Sequence, residues 1–198
     1  MLIANYKKAL PLLRIPFSIY LMPVFWFGLS ALREPWSGWR AAGVFVVLHL
    51  PRERPSLLAP IFQLKCALPV REASDKEPVA PGTVYLAPPD YHLLIDEGPL
   101  TALSADDPVH YSRPAIDVLF ESAADVYRAG LLGLVLTGGN QDGAAGLAAV
   151  IAAGGQGVVQ RPESAQVPYM PAAALQRNPS SRVLSLGDIA GLFAALPA

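Results

Sequence analysis

From residue 43 onward, short apolar runs rich in β-branched residues alternate with stretches of helical spacing, and this alternation constrains the fold more than any other feature. A parallel strand covered on both faces by helices has no solvent side to mark with polar residues, so it reads as an unbroken aliphatic run. The stretches "GVFVVLHLP" (43–51) and "LLGLVLTG" (131–138) have that character, and "QGVVQ" (156–160) adds a third. The stretch "SRPAIDVLFESAADVYRAG" (112–130) sets Ile116, Leu119, Phe120, Ala123 and Tyr127 on one helical face. Ser112 is its expected N-cap, and Pro114 falls in its first turn. A second helix, "AAGLAAVIAAGG" (144–155), ends at Gly154 and Gly155. Such an order implies right-handed crossovers and a mainly parallel sheet with helices on both faces.

Other segments modify that frame. "SLLAPIFQLKCALPV" (56–70) reads as a helix broken at Pro60, and "PGTVYLAP" (81–88) as a strand opened by a Pro-Gly turn. "YHLLID" and "LTAL", around Glu97-Gly98, predict an antiparallel hairpin. With 198 residues, 53% hydrophobic and 16% charged, the chain supports one well-buried domain. A formal charge of -1 and a pI near 6.3 give no footprint for nucleic acid. Cys66 is the single cysteine, so no intrachain disulfide can form; it reads as a small buried apolar side chain in a reducing compartment, and a cytoplasmic location is expected.

Residues 1–37 stand apart from the body at 38–198. The charge-free run "IPFSIYLMPVFWFGLSAL" (15–32), with Lys7, Lys8 and Arg14 before it and Arg33 after it, has about the minimum length of a spanning helix, although Pro16 and Pro23 interrupt it. It reads either as a membrane-seeking segment or as a strand and helix buried in a soluble core.

In open α/β sheets, ligands bind outside the carboxyl ends of the strands. His49 closes the first strand, and Asp142 lies in the turn "TGGNQDG" after the strand Leu131 to Leu136. An imidazole is the usual general base near neutral pH, and a buried carboxylate can fix its tautomer. Asp142 is equally well placed to cap the helix that follows it, and His49 can be a plain strand-end residue. His92 and His110 read as surface or structural. The glycines at 138, 139, 143 and 146 lack a Gly-Lys-Ser/Thr or GxGxxG pattern, so no nucleotide is expected; no cofactor or metal is called for.

Several stretches together resemble the methylesterase domain of CheB, the family that hydrolyses glutamyl methyl esters on chemotaxis receptors. They are "VVLHLP", "LPVREASDKEPVAPGTVYLAPPDYHLLI", "HYSRPAIDVLFESAA", "VLTGGNQDGAAGL" and "AAGGQGVVQRPESAQVPYMPAAAL", from about Ala41 to the C-terminus. The resemblance implies a doubly wound α/β serine hydrolase with His49 as base, Asp142 as its partner, a methylated chemoreceptor as substrate and no cofactor. Backbone N–H groups near Gly138 and Gly139 would help hold an oxyanion. The chain departs from the family at the nucleophile, for the S-x-G-G turn expected upstream of the histidine is missing. Ser30 in "FGLSAL" is the nearest imitation but stands too close to His49 for the usual helix and return strand; Ser37 is closer still, and Ser18 lies between bulky residues. An impaired esterase and an inactive CheB-like binding or regulatory module, membrane-associated through its N-terminus, are therefore both open. The opening "YKKALPLLRIPFSIYLMPVFWFGLSALREPW" resembles the start of a UbiA-type membrane prenyltransferase instead. The receiver domain frequent in the family is not expected to supply control in cis.

Overall fold

The computed structural model describes residues 42–53 and 55–194. Ser18, Ser30, Ser37 and the whole run 15–32 lie outside the described residues. The architecture contains two three-stranded parallel sheets and one antiparallel sheet. In the first parallel sheet β1 (Val44–Val46) and β2 (Val70–Glu72) flank β4 (Val84–Leu86), with Val46 and Glu72 both in register with Leu86. In the second, β7 (Leu132–Val135), β8 (Gln156–Gln160) and β9 (Arg182–Leu184) lie side by side. The expected hairpin is β5 (His92–Asp96) with β6 (Leu100–Ser104), turning at Gly98, and the short β3 (Glu77–Pro78) joins it on the other edge of β6.

The central strands are apolar on both sides, as the sequence runs require. Val84, Tyr85 and Leu86 are all buried, and so are Leu134, Val135, Val158 and Val159. One hydrophobic cluster takes in residues of both parallel sheets and the hairpin. Each fully buried aliphatic side chain of this kind contributes roughly 1.5–3 kcal/mol. No helix among the described residues is long and apolar enough to cross a membrane.

The helices follow their patterns, with two corrections at their starts. Helix α1 (Leu58–Gln63) contains Pro60 without being broken by it, because the helix begins two residues earlier and the missing N–H falls among first-turn donors that have no intrahelical acceptor anyway. Helix α2 (Ile116–Tyr127) buries Ile116, Leu119, Phe120 and Ala123, the face read from spacing, and a 3₁₀ turn carries it to Gly130. Ser112 is not its N-cap. That residue pairs with Val109 across a tight turn, and Ala115, which has no capping side chain, occupies the cap position. The capping acceptor comes from elsewhere in the molecule. Helices α3 (Ala144–Ala152), α4 (Tyr169–Arg177) and α5 (Leu186–Ala194) complete the chain, and α3 packs closely on α2.

Glycine at position 146 permits that approach. A Cβ there would stand 2.6 Å from the Cβ of Phe120 and 2.9 Å from the Cα and carbonyl oxygen of Asp117, none of which can swing aside. Gly146→Ala should therefore destabilise the protein by about 1–3 kcal/mol through overpacking, although alanine is the better helix former by about 1 kcal/mol. Chemical denaturation checks this, and a variant as stable as the parent would show that the two helices can separate at little cost.

Candidate active site

Two loops leave the carboxyl ends of parallel strands and meet. After β1 the chain continues through buried Val47 and Leu48 to His49. After β7 it continues through buried Leu136 and Thr137 into the glycine turn. This turn is fastened on two sides. The Thr137 N–H donates to Gln160 Oε1 at 3.0 Å, Thr137 Oγ1 exchanges hydrogen bonds with the Val167 backbone, and the N–H of Met170 donates to the Gly138 carbonyl at 3.0 Å. A Cβ at Gly138 would lie 2.5 Å from Met170 Sδ, so a side chain there would require the methionine thioether to move. Its N–H donates to the Val167 carbonyl at 3.1 Å, which corrects the expectation that it helps hold an oxyanion. Gly139, next in the turn, is exposed, with open space where a side chain would begin.

His49 Nε2 lies 2.7 Å from Asp142 Oδ2; the imidazole is 23% exposed and the carboxylate fully buried. Sequence spacing left Asp142 between capping a helix and holding a base, and in the structure it contacts the His49 imidazole and also caps a helix, though not the one that follows it. Its Oδ2 accepts from the N–H of Ile116 at 2.7 Å and its Oδ1 from the N–H of Asp117 at 2.9 Å, so it caps α2. Helix α3 is capped in exchange by Asp117, whose Oδ1 accepts from the N–H groups of Gly143 at 2.9 Å and Gly146 at 2.6 Å. Gly143 has φ of +91°, and a Cβ there would meet Ile116 Cγ2 at 2.7 Å. The D-G-x-x-G spacing thus lets two helix N-termini face each other, each with its orphan donors satisfied by the other's acid.

This exchange explains why His49 finds a rigid partner. Asp142 is held by two backbone donors at the positive end of a helix before the imidazole is considered. Asp117 is the residue that sequence reasoning missed; its signal was an acid beside Ile116 inside an otherwise apolar helix start. Burial, with the neighbouring Asp142, pushes its carboxyl above the usual aspartate range against the opposing pull of the Gly146 and Gly143 N–H groups and His110. An acid raised in this way binds its proton more tightly when folded, so stability falls as pH rises from about 4, the ordinary aspartate value, to the raised native value, and is level above it. Asp117→Asn keeps an oxygen for both glycine donors and should flatten that part of the curve. Denaturant melts from about pH 4 to pH 7 check it, and an unchanged slope would assign the dependence to another group.

Of the other histidines, His92 is buried and structural. Its Nε2 bonds the Asp107 carbonyl at 3.1 Å and its Nδ1 accepts the Ala115 N–H at 3.2 Å. His110 Nε2 lies 3.4 Å from Asp117 Oδ2. Among the described residues no serine hydroxyl hydrogen-bonds His49. Cys66 is buried, as read, and burial pushes its thiol up.

The family profile described as CheB methylesterase matches residues 28–193. The chain belongs to the CheB methylesterase family. The match starts earlier than the resemblance at Ala41 and takes in Ser30 and Ser37. A Leptospira interrogans protein, provisionally named protein-glutamate methylesterase/protein-glutamine glutaminase, is 41% identical over 77% of this chain and 79% of its own length. The Symbiobacterium thermophilum protein-glutamate methylesterase/protein-glutamine glutaminase is 39% identical over 75% of this chain, which spans only 41% of that longer protein. The crystal structure of the Thermotoga maritima CheB methylesterase catalytic domain superposes with a TM-score of 0.77 at 29% identity, covering 86% of this chain and 92% of that one. The three-layer α/β fold expected of a CheB domain is therefore the fold of this protein.

Proposed function

We propose that this CheB-family chain hydrolyses glutamyl methyl esters on a chemoreceptor, with His49 as general base and Asp142 as the residue that orients it. The 2.7 Å contact between a partly exposed imidazole and a buried, doubly backbone-bonded carboxylate carries the reading. With Nε2 engaged by Asp142, Nδ1 is the nitrogen left to serve the nucleophile. A serine oxygen attacks the ester carbonyl carbon as its proton passes to Nδ1, and Asp142 stabilises the imidazolium that forms. The same proton then goes to the departing methoxide, releasing methanol. Water, deprotonated by His49, attacks the acyl carbon, glutamate leaves, and the serine regains its proton. The exposed Gly139 N–H is the donor proposed for the oxyanion.

On this reading the hydrolase body begins near residue 38 and takes its serine from the segment before it, while membrane contact through the run 15–32 belongs to the inactive-module alternative. Ser30, inside the family match, is the serine the sequence offers as nucleophile. The relatives' double names make a glutaminyl side chain a second substrate of the same site. Methanol release from a methylated receptor fragment, compared with that of His49→Ala, is the test. Equal rates from the two proteins would sink the esterase. The missing S-x-G-G turn favours one alternative, a binding module that retains the cleft; it predicts receptor binding with no methanol.

A further inference from the structure

One surface feature beside the site is not used by this chemistry. Val109 and Ser112 exchange backbone hydrogen bonds of 3.1 and 2.9 Å around a two-residue turn made of His110 and Tyr111. Both central residues are left-handed, with φ of +50° and +63°. That is the backbone sign pattern of a type I′ turn, which ordinarily takes Asn-Gly because a bulky side chain there crowds its own backbone. Packing among the described residues does not explain the choice of tyrosine, because Tyr111 is 99% exposed. Strain kept without compensating burial points to a use outside the fold.

The turn is fixed to the catalytic loop rather than free. His110 Nε2 faces Asp117 Oδ2, and Asn140 Nδ2 donates to the His110 carbonyl at 3.4 Å. The Oδ1 of the same Asn140 accepts the N–H of Asp142 at 3.1 Å. On the far flank, Arg113 donates to the carbonyls of Ala105 and Asp106 and, through Nε and Nη2, to Asp90. A ring presented to water from so constrained a turn is preorganised for contact, and tyrosine is among the residues that most often anchor protein interfaces.

We propose that the turn Val109–Ser112 is a recognition finger, in which His110 seats the turn on Asp117 and Tyr111 contacts the receptor polypeptide flanking the scissile ester. The inference rests on the esterase reading given above. It commits to a polypeptide because the receptor is the substrate on that reading and the turn is tied through Asn140 to the loop that carries Asp142.

The experiment compares wild-type protein with Tyr111→Gly and Tyr111→Phe on two substrates, a chemoreceptor cytoplasmic fragment bearing glutamyl methyl esters and the small γ-methyl ester of glutamate. The ratio of kcat/KM for receptor over small ester should fall about tenfold in Tyr111→Gly and be restored in Tyr111→Phe. Glycine accepts φ of +63° freely, so the Tm of Tyr111→Gly should not drop, which separates recognition from folding. An unchanged ratio, or an equal loss on both substrates, overturns the finger. If the wild type releases methanol from neither ester, the esterase reading fails by itself. The finger is then judged by the Kd for the same fragment, expected to weaken about tenfold in Tyr111→Gly, with equal Kd values overturning it.

Discussion

Methanol release by His49→Ala is expected to fall by about four to six orders of magnitude relative to the parent, with little change in stability. The size follows from the chemistry. A serine hydroxyl is a weak nucleophile until a base removes its proton during attack, and the same imidazole must later protonate the leaving methoxide, so both halves of the cycle fail together. The small stability cost follows from the geometry, since the imidazole is partly exposed and the partner it leaves behind still accepts two backbone hydrogen bonds. Steady-state methanol assays with matched denaturation curves check both halves. Retention of more than a hundredth of the parent rate would mean that another group acts as base.

Asp142 should behave differently, because one carboxylate serves the imidazole and the start of α2 together. In Asp142→Asn the amide has one oxygen where three donors converge. If the oxygen keeps the Oδ2 position, the NH₂ confronts the Asp117 N–H; if it is flipped, the NH₂ confronts the Ile116 N–H and His49 and drives the imidazole to the other tautomer. The expected result is a loss of up to about 10⁴ in kcat, the scale known for a wrong tautomer, together with about 1–3 kcal/mol of stability from an unpaired buried donor. Asp142→Ala leaves both α2 donors unpaired and should cost about 2–5 kcal/mol. Thermal and denaturant melts of the two variants, alongside kcat, separate the roles. A variant that loses activity while keeping full stability would show that water replaces the cap.

The two positions were legible for one reason. His49 and Asp142 stand just past aliphatic runs, and a doubly wound sheet collects the carboxyl ends of its strands at one edge, so pattern alone put both at the ligand-binding edge. The helix that Asp142 caps could not be read that way. Local sequence favours the helix immediately following, yet Gly143 takes a left-handed turn that sends the chain past its own acid, and the side chain reaches α2, whose first residues are 26 and 25 positions away. Ser112 had the right residue type near an apolar run, but its backbone closes a tight turn with Val109 and the helix starts later, with Ala115 at the cap position.

Strand and helix identity, the hairpin, the buried face of α2 and the family itself are written along the chain, because each depends on periodicity or on short motifs that neighbours in sequence set. Which acid satisfies which helix, the loss of the Gly138 N–H to Val167, and the seating of His110 on Asp117 depend on groups brought together from distant segments. Hydrogen bonds are short-ranged and each donor has few places to go, so their partners are fixed by packing in three dimensions and leave no periodic trace in one.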